Sequence, residues 1–261
     1  MALPLAQTRL RQTTSCIVIP ARLASTRLPR KLLLQETGKS IIRHTYEAAK
    51  QAARPVEVCV AAADLELAEH VESFGGRAIM TDPAAASGTD RVAEVAKAMP
   101  EVDIFVNVQG DEPEMEGHSI DRVIELLEDD TSADVATLAA PIRCEEAWQD
   151  PSCVKVVFDD SYHALYFSRS PIPFVRDWRP EWLCQEPAVC HQHLGIYAYR
   201  REFLLKLPKL PRSPMEQLEK LEQLRFLASG HVISVGVVEH LARGIDTPED
   251  YRAFVKRTIV R

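Results

Sequence analysis

The 261-residue chain lacks a glycine-rich phosphate loop: neither G-x-G-x-x-G nor G-x-x-x-x-G-K-[ST] follows its first strand-like run. Backbone amides of the kind that cradle phosphates in dinucleotide-binding and P-loop proteins are therefore not on offer. No run of about 18 apolar residues is present, which excludes a membrane-spanning helix. Six cysteines (Cys16, Cys59, Cys144, Cys153, Cys184, Cys190) show no C-x-x-C spacing. Cys16 and Cys59 lie in apolar runs, where a thiol behaves as a small hydrophobe, and a reduced, cytoplasmic setting is expected. The grouping of Cys184, Cys190, His191 and His193 matches no standard zinc spacing. Residues 1–14 have no apolar h-region and read as a loose extension rather than a signal peptide. Internal repeats, low-complexity tracts and a flexible linker are also missing, so residues 15–261 are expected to form a single domain.

One further absence is local. The formal net charge is −7, yet no Asp or Glu occurs before Glu36. The acid-free stretch contains IVIPARLASTRLPRK at 17–31, a short apolar strand that runs into a loop carrying Arg22, Arg27, Arg30 and Lys31. Open α/β sheets hold phosphates in loops at the carboxyl ends of their strands. At 4 Å and an effective dielectric near 20, each cation–oxyanion pair contributes up to about 4 kcal/mol before desolvation. Side-chain cations would thus stand in for the glycine cradle: Arg22, Arg27 and Lys31 toward phosphate oxygens, with Ser25 adding a hydroxyl. A solvated basic turn is the plainer reading. It accounts less well for cations squeezed between a buried strand and Pro29.

Strand-like and helix-like runs alternate through the first half, the pattern of a parallel sheet covered by helices. Strands are expected at 16–20, 56–62, 78–80, 104–108 and 134–140. Helices are expected at 39–53 with Ser40 as cap, from Asp64 to about Gly75, from the capping box at 87–90 to Met99, and at 119–127. The second half reads differently: 153–158 and 164–167 alternate like an antiparallel hairpin about the turn at 159–161. A Pro- and Trp-rich connection covers 171–187. A strand at 193–200, one helix at 213–229, a strand at 232–237 and a closing helix from Pro248 complete the chain. The expected fold class is α/β: a Rossmann-like, mostly parallel mixed sheet with helices on both faces. A small antiparallel element within 151–212 would serve substrate binding and dimerisation.

Several side chains suit chemistry at the carboxyl edge of such a sheet. Asp111 lies just past the strand at 104–108, a sensible Mg²⁺ ligand facing a cationic loop, or else a turn residue before Glu112-Pro113. Asp246 offers a second carboxylate, or else caps the last helix. Arg169, at the end of a strand, suits a substrate carboxylate. On one continuous helix Glu216, Glu219 and Gln223 would fall within about 60° of one another, a polar stripe suited to a sugar. Glu216 reads equally well as a capping-box partner of Ser213.

The motifs IVIPARLASTRLPRK (17–31), SGTDR (87–91), VNVQGDEP (106–113), YFSR (166–169), HLGIY (193–197), EQLR (222–225) and DTPED (246–250) occur in this order. Together, over roughly residues 15–255, they resemble the 3-deoxy-manno-octulosonate (Kdo) cytidylyltransferases, the CMP-Kdo synthetases. The resemblance implies the reaction CTP + Kdo → CMP-Kdo + diphosphate, for lipopolysaccharide biosynthesis, by a Mg²⁺-dependent homodimer. It implies that Arg22, Ser25, Arg27 and Lys31 hold the triphosphate, and that Ser87, Gly88, Arg91 and Gln109 border the cytidine. Asp111 and Asp246 would bind Mg²⁺, and Arg22, Lys31 and Asp111 would carry catalysis. Arg169, His193, Tyr197, Glu216, Glu219 and Gln223 would line the Kdo pocket. One departure stands out: many members read Leu-Pro-Gly-Lys where this chain has Arg30 before Lys31. Arg30 is expected to point outward from a position that needs no special backbone. The rival readings are a synthetase for another acidic 2-keto sugar, such as sialic acid, and a catalytically silent CTP- or sugar-binding regulator. Against silence, both Asp111 and Asp246 are in place.

Overall fold

The computed structural model describes residues 13–239 and 244–259. Most of the expected N-terminal extension, with Arg9 and Arg11, lies outside them. The first half folds as the alternation requires: β1 (Ser15–Ala21), α1 (Ile41–Ala49), β2 (Glu57–Ala62), α2 (Leu65–Ser73), β3 (Ala78–Met80), α3 (Gly88–Ala98), β4 (Ile104–Asn107), α4 (Gly117–Asp129) and β5 (Val135–Pro141). Then come α5 (Glu145–Gln149), β6 (Lys155–Phe158), β7 (Ala164–Ser168), β8 (His191–Arg200), α6 (Arg201–Lys206), α7 (Pro214–Glu219), α8 (Gln223–Ala228), β9 (Ile233–Val237) and α9 (Pro248–Ile259). The sheet runs β3-β2-β1-β4-β8-β5-β9. All neighbours are parallel except β8, which lies antiparallel between β4 and β5. An antiparallel β6–β7 hairpin leans on the start of β8. This is the mixed, mostly parallel architecture expected from the sequence.

Strand periodicity sets the layers. Ile17 and Ile19 of β1 pack into a core shared with α1, α4 and α9, whereas Cys16 and Val18 face a second core built on α3, α6 and α8. A central strand covered on both faces needs apolar residues at every position, which is why residues 16–19 read as an unbroken run. Ser40 caps α1, accepting from the Arg43 amide at 3.3 Å, and Ser87 caps α3, accepting from the Asp90 amide at 3.1 Å.

Two expectations fail for identifiable reasons. The single helix over 213–229 is two helices: α7 ends at Glu219, Lys220 takes a left-handed conformation (φ 55°), and α8 restarts at Gln223. No residue of α7 is buried, so packing does not hold it in line with α8. The turn at Lys220 lets Leu221 and Leu224 reach the core, while Leu218, which one continuous helix would turn to the same side, is 83% exposed. Asp64 precedes α2 without capping it through its side chain. Its carboxylate instead accepts from the Leu23 amide at 2.8 Å and so holds the loop after β1.

The connection at 171–187 gains structure that no periodicity signalled. A 3₁₀ turn at Pro180–Cys184 seats Leu183 in a small core with Ile142, Trp148, Cys153 and Cys190. Trp178 stacks on Trp148 at 5.8 Å. Beneath it Lys155 is fully buried, and its ammonium donates to the carbonyls of Asp150 (2.9 Å), Cys153 (2.6 Å) and Arg169 (2.8 Å). Burial lowers its pKa from the ordinary lysine value. Lys155→Met keeps the stem but strands three carbonyls, and is expected to reduce the unfolding free energy by about 3 kcal/mol. Urea denaturation measures this; a loss under about 1 kcal/mol would show that solvent replaces the ammonium freely.

Candidate active site

β1 and β4 are parallel neighbours, so the loops that follow them open on the same edge of the sheet. Between them lies a cleft of about 370 Å³. Arg22, Ser25, Arg27 and Lys31 from the first loop, Ser87, Gly88 and Arg91 from the start of α3, and Gln109 all line it, together with Asp111 and Asp246. The approach is tight: a Cβ at Gly88 would sit 3.2 Å from the Pro20 ring, which accounts for glycine there. Arg91 is buried, and its guanidinium donates to the Asp82 carbonyl at 2.6 Å and to Thr81 Oγ1 at 3.2 Å. It therefore shapes the wall of the cleft by anchoring the turn after β3.

Lys31 is the centre of charge. Its Nζ donates to Asp111 Oδ2, to Asp246 Oδ1 at 3.0 Å and to the Ile245 carbonyl at 3.0 Å. Burial works against the ammonium, but the two carboxylates outweigh it, and its pKa ends above the ordinary lysine value. Arg27 reaches the other oxygen of Asp246 at 3.0 Å. The Asp111 carbonyl accepts from the Ile245 amide at 2.9 Å, which clamps the two carboxylate loops together. Asp246 does not cap α9. Thr247 Oγ1 accepts from the Asp250 amide at 3.2 Å while Asp250 accepts from the amides of Asp246 and Thr247, a capping box that leaves the Asp246 carboxylate free to face the cleft. Next to Asp111, the Oε2 atom of Glu112 is buried and unpartnered. Burial first, then Asp111 and Asp246, push its pKa up to about 8.

A second cleft of about 340 Å³ shares Ser87, Gly88 and Gln109 with the first and extends toward α7. Glu216 lines it and is held bidentately by Arg225, at 2.6 and 2.9 Å. Its amide also donates to the Ser213 hydroxyl at 3.1 Å, so Ser213 caps α7, but the Glu216 carboxylate goes to Arg225 instead of closing a capping box. Thr89 and Glu222 also line this cleft, joined by a 2.5 Å hydrogen bond. The sequence reading passed over both, although Glu222 stands in the EQLR motif.

The other expected sugar-binding residues line neither cleft. Arg169 donates to the carbonyls of Glu219 (2.8 Å) and Pro151 (2.9 Å). The Glu219 carboxylate accepts from Ser168 Oγ (2.7 Å) and the Arg169 amide (2.9 Å). These two side chains tie the end of β7 to the end of α7. His193 lies 3.0 Å from Thr137 Oγ1 and packs against Phe167 and Tyr197. Burial pushes its pKa down to about 3, so the ring is neutral at physiological pH. Gln223 is buried at the start of α8.

Arg30 points away from the cleft and pairs with Glu66 on α2. The outward orientation agrees with expectation, but its backbone does not: φ is 54°, in the left-handed region that favours glycine. Arg30→Gly is therefore expected to raise the thermal midpoint by roughly 2 °C, because relief of strain outweighs one exposed ion pair. The KM for a nucleotide bound in the cleft should not change. Calorimetry and nucleotide titration check both; a several-fold, salt-sensitive weakening would show that Arg30 reaches the nucleotide.

Comparison with known proteins bears on this arrangement. A family model described as cytidylyltransferase matches residues 16–234. A protein of Rhodopirellula baltica named 3-deoxy-manno-octulosonate cytidylyltransferase is 51% identical over 242 residues, covering 92% of this chain and 97% of its own length. One of the same name from Geotalea uraniireducens is 43% identical over 244 residues, covering 92% and 97%. The solved structure of CMP:2-keto-3-deoxy-manno-octonic acid synthetase complexed with CTP superposes with a TM-score of 0.88 at 43% identity, over 95% of this chain and 99% of that one. With its motifs in order and its cleft built on the loops that carry them, the chain belongs to the 3-deoxy-manno-octulosonate cytidylyltransferase family.

Proposed function

We propose that the chain transfers CMP from CTP to Kdo, releasing CMP-Kdo and diphosphate, and so supplies activated Kdo for lipopolysaccharide. The observation that carries this reading is the pair of adjoining clefts. One is lined by loop cations opposite two carboxylates, the other is polar, and Ser87, Gly88 and Gln109 belong to both. A phosphate in the first and a sugar hydroxyl in the second would meet across that shared wall.

In this reading Arg22, Ser25, Arg27 and Lys31 bind the triphosphate, while Ser87, Gly88, Arg91 and Gln109 border the cytidine. Arg22 and Lys31 spread the charge that builds on the phosphate oxygens as the anomeric hydroxyl attacks in line. Asp111 and Asp246 suit Mg²⁺, since both already converge on one cation, the Lys31 ammonium. Among the described residues no group of three or more His, Cys, Asp or Glu could hold a metal. Two carboxylates with substrate oxygens completing the shell is how Mg²⁺ usually binds beside phosphates. When bound, the ion would lower the pKa of the attacking hydroxyl and draw charge from the phosphate. Lys31, released from the two carboxylates, is then available to the phosphates.

The reading includes a cytoplasmic homodimer. Its support is the unpaired state of all six cysteines and the apolar side chains exposed on the 151–212 segment, with Phe174 87% and Leu165 61% accessible. Among the described residues no helix is long and apolar enough to cross a membrane.

Diphosphate release with CTP and Kdo, with and without Mg²⁺, tests the reaction, and competition with N-acetylneuraminate identifies the preferred sugar. Asp111→Asn is expected to lose more than about 100-fold in turnover with the fold intact by circular dichroism. Near-normal release by this variant would refute the metal assignment. Phe174→Glu is expected to shift the chain toward monomer in sedimentation; an unchanged profile would move the subunit contact elsewhere.

A further inference from the structure

We propose that Lys31, with Arg27 behind it, is a built-in stand-in for the metal ion. It keeps the Asp111–Asp246 pair closed until the phosphates of a nucleotide draw it off, so that a divalent cation enters the site with the nucleotide and not before it. The inference rests on the proposed metal assignment and deepens it, from which residues hold the ion to when they can hold it.

The contacts of Lys31 use up its ammonium. It has three protons to give, and the Asp111 carboxylate, Asp246 Oδ1 (3.0 Å) and the Ile245 carbonyl (3.0 Å) accept from it. The other oxygen of Asp246 pairs with Arg27 at 3.0 Å. Three of the four carboxylate oxygens of the pair are thereby engaged by protein cations. A divalent cation binds through these same oxygens. It cannot share them with an ammonium at contact distance, because the like charges repel. Exposure ranks the two blocking groups. The Lys31 side chain is 14% accessible and that of Arg27 66%, so solvent screens Arg27 far more.

The fold lets this cation leave without disturbing what it covers. Lys31 opens a 3₁₀ turn, Lys31–Leu33, whose Leu32 is buried in the core. The backbone can therefore stay in place while the flexible lysine stem swings. The two carboxylate loops are joined independently of Lys31, by the Ile245 amide donating to the Asp111 carbonyl at 2.9 Å. The Asp246 amide is held by the Asp250 carboxylate at 3.1 Å. Convergence of the two carboxylates thus survives the exchange. Both blocking cations line the cleft assigned to the triphosphate, so oxyanions there compete directly with Asp111 and Asp246 for them. Nucleotide and metal are coupled through Lys31, and by linkage each tightens the other to the same degree.

The test measures Mn²⁺ binding to the full chain without nucleotide, from the loss of the free-ion signal in electron paramagnetic resonance. Lys31→Met is expected to bind Mn²⁺ at least about tenfold more tightly than wild type, and Arg27→Met about twofold to threefold. Arg22→Met is the control: Arg22 lines the same cleft but pairs with neither carboxylate, so its removal should leave Mn²⁺ affinity within about twofold of wild type. Adding Asp111→Asn to Lys31→Met should abolish the gain. Lys31→Gln, whose amide can donate to a carboxylate without carrying charge, repeats the test if circular dichroism finds Lys31→Met unfolded. A Lys31→Met affinity within about twofold of wild type overturns the proposal, as does an equal gain in Arg22→Met, the mark of a general field effect. A gain that survives Asp111→Asn puts the ion elsewhere and overturns this proposal together with the metal assignment. Wild-type turnover of CTP and Kdo with Mn²⁺ binding indifferent to Lys31 overturns this inference alone. A wild type inert toward CTP and Kdo overturns the parent reading, while the Mn²⁺ comparison still decides this one.

Discussion

The ammonium of Lys31, held between Asp111 and Asp246, is the constraint around which the rest of the site is arranged. It draws together three segments distant in sequence: the loop after β1, the loop after β4 and the approach to α9. Without a cation, two carboxylates brought this close would repel by up to about 4 kcal/mol at 4 Å and an effective dielectric near 20. Their effect is visible in Glu112, whose pKa is raised by burial and then by the same two charges. The cleft is thus held in readiness by charge pairing, and the ligand's own charges must replace pairs that already exist.

That arrangement depends on the sheet. β1 and β4 are adjacent and parallel, so the chain delivers the cationic loop and Asp111 to one edge without further device. Asp64, at the carboxyl end of the neighbouring β2, fixes the cationic loop through the Leu23 amide. Three strands side by side thus contribute a cation-bearing loop, its anchor and its counter-charge.

The first cleft was legible because its determinants are local. Basic residues crowded into one acid-free loop, a capping box and a carboxylate just past an apolar run each announce themselves within a dozen residues. The second cleft was not. It depends on a helix break at Lys220 that no residue type signals, since Lys is an ordinary helix former and glycine would have been the cue. Once the helix divides, a stripe computed at 100° per residue has no meaning across the break. Likewise Arg169 is engaged by carbonyls supplied by tertiary contacts, which spacing cannot reveal. Asp64 shows the converse error: helix-start chemistry was read correctly as to place, but the carboxylate had a partner 41 residues away.

The capping box of α9 has a consequence for synthesis on the ribosome. Asp246 lies 215 residues beyond Lys31, after every strand described in the sheet. The Tyr251 hydroxyl of α9 accepts the Glu36 amide at 2.9 Å, pinning the chain just past the cationic loop from equally far along the sequence. A nascent chain that has not yet emerged past residue 246 can pair all those strands and still possess only half of the carboxylate pair. Vectorial folding would therefore complete the sheet first and the charge centre last, so that the site closes only when the final helix docks.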